Sequence, residues 1–524
     1  MAKEIKYGNE ARGALIRGAN KAADAAKITL GAKGENVIYE FVPLNMPVVT
    51  NDGVSILQQI QLTDHYENMG AQLVIQAAQK TNEIAGDGTT TCAILTQAIL
   101  KEGQEAIKNG ANPIALKRGI ELGVKRVVDY LKDIAVPIKG KEDIERVATI
   151  ASGNSEIGRT ISDIFEEVGD NGVIAIEESG MPGVTKEIVE GMKLDAGWVS
   201  PYLITDIRTQ KAEVENPYIL LTDRHIKRHE ELIPVLEQLP KGEARIVIVA
   251  MGIDNLAVGF LAQNKLEGRL QVIAMKSPGF AADRREYLED IASMTGATII
   301  SRDLGHTLEQ TTIDMLGKAD KAIAYKDYSV IIGGQGDKEL VNERIRVIKD
   351  QIKGADKSGK VSLVDRLANL TNGVGIIRIG AHTDVERKEK KDHTEDAVEA
   401  TKAAVEMGIV PGGGIALYKT MCNAKHSKKA DDDRDEIMGI EVLLLTISSP
   451  IIQIFENCGA NPDDSKLDMG LGYNAKTGEY VDMIEAGIID PVKVTITALE
   501  NAASVAGTLL TTGCAIVEKV ENES

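Results

Sequence analysis

Ala-rich helical stretches stand at both ends of this chain, with strands and helices alternating between them. Apolar residues recur at helical spacing from Asn9 to Leu30, from Tyr66 to Ala85 and from Thr91 to Lys108. A fourth helix starts after Asn112-Pro113, where proline suits the first helical position. Between the first two helices, Asn36–Phe41 and Val48–Leu57 read as strand-like, with Asn51-Asp52-Gly53 as a hairpin turn. After Val136-Pro137 come the β-branched runs Val173–Glu177, Tyr218–Thr222, Arg245–Ala250, Gln271–Ala274 and Thr298–Ser301. They alternate with helical segments at Glu230–Gln238, Asn255–Asn264 and Arg284–Met294, as in an α/β layer. Helices return at Glu395–Met407, Gly414–Cys422, Asp435–Cys458 and Pro491–Thr512. The economical fold joins the two ends in one discontinuous helical domain and inserts the middle as another. Each crossing between them needs a hinge, and Pro137, Gly191, Gly373 and Gly408 are the candidates.

The 524 residues suffice for three or four domains at roughly 150 residues each. With 5 Phe, 12 Tyr and 1 Trp, the cores are filled mainly by Ala, Ile, Leu and Val, so helices can pack closely. A content of 43% hydrophobic and 27% charged residues excludes a disordered chain. The net charge of −19 repels phosphate backbones, so neither nucleic acid nor an anionic membrane is expected as a partner. Cys92, Cys422, Cys458 and Cys514 lie far apart without a CxxC pair, which argues against a disulfide framework or a zinc site. The opening MAKEIKYGNE has no apolar core of a signal peptide. The longest apolar runs, such as Ile246–Ile253, are too short to span a bilayer. The expectation is a soluble, cytoplasmic protein.

The sharpest local motif is Gly86-Asp87-Gly88-Thr89-Thr90-Thr91, wedged between two helices. Glycines allow close backbone approach, and a helix N-terminus offers free N–H donors to an anion. Asp87 could hold a Mg²⁺ that bridges nucleotide phosphates. The same residues also read as a glycine C-cap followed by a threonine N-cap. Thr29-Leu30-Gly31-Ala32-Lys33-Gly34 and Pro411-Gly412-Gly413-Gly414 are loops of similar character, one near each chain end. No GxxxxGK[ST] is present. Hydrolysis needs a carboxylate to orient and deprotonate water, and Asp396 in Thr394-Glu395-Asp396 is the candidate. It equally suits a helix start with Thr394 as cap.

The set TLGAKG, TNDGVS, NMGAQLV, AGDGTTT, EDAVEATKAAV, PGGG, GYNAKTGEY and DMIEAGIIDPVKVT resembles the bacterial-type, GroEL-like (group I) chaperonins. DAGWVSPYLI and KSPGFAADRREYLEDIA resemble that group's substrate-binding domain, and the likeness runs along essentially the whole chain. It implies a multidomain α and α/β fold. A discontinuous all-helical equatorial ATPase domain would occupy 1–133 and 408–524, a small α+β intermediate domain 134–189 and 373–407, and an α/β apical domain 190–372. It implies ATP, Mg²⁺ and K⁺ as cofactors, with Asp87 on the metal and Gly88, Thr89, Thr90 and Thr91 lining the phosphates. Thr29, Leu30, Gly31, Ala32 and Asn51 would lie on the other side, with Gly413, Asn474, Ala475 and Asp490 against the nucleotide. Asp396 matches the catalytic carboxylate, and Asp52 a second acid at the γ-phosphate. Non-native polypeptides would bind Trp198, Tyr202, Leu203, Ile233, Leu236, Val258, Leu261, Ala262 and Gln263. A GroES-type co-chaperonin would dock in the same groove, and copies of the chain would close a sevenfold ring, single or double.

Several residues depart from that pattern. Ala32 stands in place of a proline and Asn51 in place of a lysine. Ala262 and Gln263 replace two valines, which trims the apolar groove and predicts weaker or narrower client binding. Ile452 and Asn461 replace an Arg and a Glu that join two rings. The sequence ends in EKVENES in place of a Gly-Gly-Met tail, so a barer cavity floor is expected. An ATP-hydrolysing foldase and a chaperonin-derived scaffold ring are thus the competing readings, and the three acids Asp52, Asp87 and Asp396 favour the first. A monomeric metabolic ATPase has only the phosphate loops in its favour.

Overall fold

The computed structural model describes residues 3–41, 46–169, 173–207, 209–240, 244–279, 282–301, 303–354, 357–371, 373–424 and 434–518. Part of the polar stretch Lys425–Glu436, the FA pair of KSPGFAADRREYLEDIA and the end of the tail lie outside them. Contacts divide the described chain into two compact units. One comprises residues up to Ser162, Gly180–Pro182, and Gly380 onward; the other comprises Asp163–Ser179 and Gly183–Ile379. None of the four hinge candidates stands at these boundaries.

The first unit begins with β1 (Lys3–Tyr7) and α1 (Gly8–Lys27), then the hairpin β2 (Val37–Phe41) and β3 (Met46–Thr50). Next come α2 (Gly53–Gln58), α3 (His65–Ala85), α4 (Thr89–Lys108), α5 (Pro113–Asp133) and α6 (Lys141–Ser152). The turn expected at Asn51-Asp52-Gly53 is a helix start. The Asp52 carboxylate accepts from the N–H groups of Val54 and Ser55, and this cap ends the strand at Thr50.

The second unit takes up α7 (Ser155–Val168), whose first half belongs to the first unit, and the strands β4 (Val173–Glu178) and β5 (Gly183–Val189). There follow β6 (Gly191–Leu194), β7 (Ala212–Glu215), β8 (Tyr218–Thr222), β9 (His225–Ile226) and α8 (Ile233–Leu236). Then come β10 (Arg245–Ala250), β11 (Gly252–Ile253), α9 (Asn255–Leu266), β12 (Gln271–Lys276), α10 (Ala282–Thr295) and β13 (Ile299–Ile300). The unit ends with β14 (Gly317–Ala324), β15 (Ser329–Gly334), α11 (Lys338–Gly354), α12 (Lys357–Thr371) and β16 (Val374–Gly380). Eight strands form a mixed sheet in the order β12-β10-β8-β14-β15-β6, with β13 on β8 and β7 on β14. The β12, β10 and β8 strands run parallel and are almost wholly apolar, as buried parallel strands must be. A separate sheet has the order β4-β16-β5. Asp290 on α10, almost fully buried, binds Arg344 of α11 and Arg366 of α12 at 2.6 Å each.

The chain then returns to the first unit with α13 (Asp384–Met407), β17 (Ile409–Pro411), α14 (Ile415–Ala424), α15 (Arg434–Thr446), α16 (Ser449–Cys458) and α17 (Asp464–Asp468). The hairpin β18 (Gly472–Asn474) and β19 (Glu479–Val481), then β20 (Ile489–Pro491), α18 (Val492–Thr511) and β21 (Cys514–Glu518) complete it. The expected helix start at Thr394 is a correction: α13 begins ten residues earlier in sequence, capped by Thr383, and the Thr394 hydroxyl donates to Lys390 O. The unit is not all helix either. The ribbons β1–β21, β2–β3, β17–β20 and β18–β19 tie its segments together. Arg434–Cys458 corrects the expectation that every apolar run is short, because it is long and apolar enough to cross a bilayer. Most of it is buried within the unit, and Ile447-Ser448 splits it into α15 and α16.

One Ala-rich core joins both chain ends, running from Ala11 and Leu15 through Leu116 and Ile120 to Leu443, Leu499 and Leu510. Where α1 crosses α3, a methyl group on Gly18 would overlap the Glu67 carbonyl, and one on Gly70 the Leu15 carbonyl. Glu67, buried at this crossing, pairs with Lys21 at 2.6 Å and Arg17 at 2.9 Å, and those cations hold its carboxyl below the usual range. The α5–α15 crossing repeats the device, with Gly119 on the Glu436 carbonyl and Gly439 on the Leu116 carbonyl. Gly439→Ala is therefore expected to cost about 1–3 kcal/mol of stability in a urea titration. An unchanged midpoint would show that this crossing opens at no cost.

Candidate functional site

The helices α3 and α4 are joined by three residues. Gly86, left-handed at φ +72°, ends α3 with its N–H on Asn82 O. Gly88, at φ +88°, opens α4, and no side chain caps that end. By contrast α2, α3 and α5 are capped by Asp52, Asp64 and Asn112. The first-turn amides of Thr89, Thr90 and Thr91 are thus left for an anion. Gly53 lies directly on that turn, because a methyl there would reach the hydroxyls of Thr90 and Thr89. This contact brings Asp52 and Asn51 beside the start of α4.

The acids converge here. Asp87 is solvent-accessible yet surrounded by the fold, as on the floor of a cleft. Burial and the charge of Asp52 raise its pKa, against a 2.5 Å bond from the Gly88 N–H. Asp490 on β20 is pushed up to about 7, first by burial and then by Asp87, although the Gly413 N–H donates to it. Its strand pairs with β17, Val410 opposite Asp490, so the Gly412-Gly413 turn folds back over the carboxylate. Asp87 is thus coupled by its charge to Asp52 on one side and to Asp490 on the other. Among the described residues no cluster of His, Cys, Asp or Glu would hold a metal alone. Asp87 is the residue that could supply the one carboxylate a Mg²⁺ with water and phosphate ligands would need.

Asp396 sits within α13. Glu399, three residues on, packs against Gly86, where a methyl would collide with its Cβ. Asp392, four residues before, faces Tyr39, whose pKa is raised by burial, Asp52 and Asp392. Helical periodicity puts Asp392, Asp396 and Glu399 on one face, so Asp396 lies on the side of α13 turned to the acids. Asn474 folds the β18–β19 turn, accepting from the Lys476 N–H at 3.0 Å, with Ala475 buried beside it. Met483 links this hairpin to the glycine turn, since methyls on either Gly413 or Gly472 would strike its side chain. The Thr29–Ala32 loop is fixed differently. Asn457 of α16 donates to Lys27 O and Leu30 O at 3.0 and 2.9 Å, and Gly31 lies against Ile454. Tyr39, Met483 and Asn457 carry no sequence signal of their own; only the fold shows them.

The model of the TCP-1/cpn60 chaperonin family matches residues 22–520. The chain belongs to the TCP-1/cpn60 chaperonin family. Among solved structures, the chaperonin gp146 from the bacteriophage EL 2 (Pseudomonas aeruginosa), in the presence of ATP-BeFx, matches in two crystal forms. Crystal form II gives a TM-score of 0.69 and form I 0.64, each at 22% identity, covering 98% of this chain and 99% of that one. At that identity the likeness is one of fold.

In this chaperonin the expected client residues lie on α8, on α9 and in the Trp198–Leu203 segment before β7. Trp198 bridges to Met275 of β12 and donates its indole N–H to Gln210 O at 2.8 Å. His229 stacks on Phe260 at 5.0 Å between ring centroids. Leu203 and Leu261 are fully buried, with Val258 and Ala262 nearly so, because they form the inner face of the layer. Ile233 and Leu236 are half-buried and Gln263 is exposed. Of the expected client residues Tyr202 is open to solvent, at 74% exposed, and Leu256 and Leu266, which were not among them, are exposed on α9 at 72% and 82%.

Asp490 has a measurable pH signature. Its folded-state pKa is raised to about 7, so at pH 5 the folded chain keeps a proton that the unfolded chain has lost. That stabilisation fades as pH climbs through 7. Asp490→Asn never carries the charge, so its gain in Tm over the unmodified protein should be larger at pH 8 than at pH 5. A pH-independent difference in thermal unfolding would contradict this.

Proposed function

We propose that this chaperonin is an Mg²⁺-dependent ATPase that captures non-native polypeptides on its apical groove and encloses them in a ring cavity. The observation that carries this reading is the convergence of Asp52, Asp87 and Asp490 on the uncapped start of α4, beneath the acidic face of α13. The neighbour's preparation with ATP-BeFx adds support for a nucleotide ligand. The domain frame is equatorial 1–133 and 408–524, intermediate 134–189 and 373–407, and apical 190–372.

In this reading the Thr89, Thr90 and Thr91 amides donate to phosphate oxygens, with Gly31 and Gly413 admitting the backbone close to the nucleotide. Asp87 would hold Mg²⁺, which would supply positive charge against the phosphates, and K⁺ would add to that screening. Asp396 orients the attacking water and accepts its proton, and Asp52 stands as the second acid at the γ-phosphate. Closure of the intermediate segments selects one of two arrangements, turning the groove from client to a GroES-type lid. Hydrolysis then times reopening. The scattered cysteines and the −19 charge support a cytoplasmic setting, free of nucleic acid and membrane.

Asp396→Ala should bind ATP normally while turnover falls by about 10²–10⁴-fold, with denatured clients held and not released. Unchanged single-turnover hydrolysis would remove Asp396 from the mechanism. Native mass spectrometry gives the assembly: seven chains of 56.3 kDa make roughly 394 kDa, and a double ring twice that. A monomer with and without ATP would sink the enclosure.

A further inference from the structure

The core where α3, α4 and α18 meet is mostly alanine and aliphatic, yet four polar side chains meet within it. Asn501 of α18 donates its Nδ2 to the Thr81 hydroxyl of α3 at 2.9 Å. Thr81 passes its own hydrogen to Ala77 O at 2.9 Å. The Cys92 thiol of α4 contacts the hydroxyls of both Thr81 and Thr96, and Thr96 donates to Cys92 O at 2.7 Å. Thr81, Cys92 and Thr96 are completely buried and Asn501 nearly so. Burial raises the thiol pKa to about 11, so Cys92 serves here as a neutral hydrogen-bonding group. Buried polar groups hold their partners firmly, because a broken bond leaves an unpaired group that water cannot reach.

The position of this junction gives it a further role. Thr81 stands five residues before Gly86, and Cys92 donates its backbone N–H to Gly88 O at 2.9 Å, closing the first turn of α4. Val494, Ala498 and Asn501 share one face of α18. The first two cover Gly88, where a methyl would lie 2.8 Å from Val494 Cγ1 and 3.5 Å from Ala498 Cβ. Sliding α18 along its axis would move both off the glycine. Alanine contacts resist such sliding weakly, whereas a directional hydrogen bond sets one register.

We propose that Asn501, through Thr81 and Cys92, bolts α18 to the α3–α4 pair and thereby holds the Gly86–Thr91 turn in its anion-receiving shape. Asn501 is a positioning residue, and its effect on nucleotide affinity rests on the ATP site proposed above. The assembled, full-length protein is compared with Asn501→Leu, Thr81→Val, their double variant and the hydroxyl-retaining Thr81→Ser. Leu131→Ala, in the same unit but on α5, controls for general loss of stability. Two quantities are read: hydrogen exchange of the peptide spanning 86–91, and the dissociation constant for Mg-ATP.

Asn501→Leu and Thr81→Val should each speed exchange in that peptide and weaken Mg-ATP by about tenfold. The double variant should be no worse than either single one, and Thr81→Ser should stay near the unmodified protein. Leu131→Ala should unfold earlier yet leave both readouts unchanged. A lower Tm without faster exchange at 86–91, or effects that add in the double variant, would overturn the bolt. Faster exchange in a protein that binds no Mg-ATP would keep the bolt and overturn the ATP reading.

Discussion

Contact between helix backbones at glycine and alanine is the constraint on which this structure depends. At the α1–α3 and α5–α15 crossings, carbonyl groups rest where a Cβ would be. Such closeness removes the layer of large side chains that usually separates helices, so dispersion contacts are dense and tolerance is small. It also explains how a unit with few aromatic residues can stay well packed. Because α1, α3, α4 and α18 lie so near one another, loops at their ends are drawn into a small volume.

That volume holds like charges. Asp52 is satisfied as a helix cap, with Ser55 and Val54 donating to it, whereas Asp87 and Asp490 face each other with one backbone donor apiece. The rest of the unit bears the cost of holding them together, and under the proposed function a cation with phosphate ligands would relieve it. Stability and ligand demand are therefore opposed at one spot, as is common where pKa values are strongly displaced.

Much of this was legible beforehand, for physical reasons. Strands such as Tyr218–Thr222 and Arg245–Ala250 are buried on both faces, so their apolar runs announce them. The long helices carry a strong 3.6-residue period, and Asn112-Pro113 marks its helix start through cap and ring. Asp87 and its glycines were readable as a local turn. The start of α13 was not, because its first three turns are nearly all charged and offer no apolar period until Ala397. Asn51-Asp52-Gly53 misled because the same residues suit a hairpin and a helix cap, and only the contact of Gly53 with α4 decides. Nor could spacing reveal that Met483 fills the gap between Gly413 and Gly472, a meeting of residues distant in sequence. The burial of Leu261 depends likewise on which face of α9 meets the sheet.

The shared core also has a consequence for biosynthesis. The α5 helix finds its packing partner α15 only after roughly 300 further residues have been made, and β1 awaits β21 longer still. At roughly 5–20 residues per second, that leaves the face of α5 that meets α15 uncovered on the ribosome for about 15–60 s, while α1, α3 and α4 already have one another to pack against. Meanwhile the whole inserted unit emerges and has what it needs to fold alone. A protein of this architecture thus cannot complete its first unit until its last residues are made, because that unit's core draws on both chain ends.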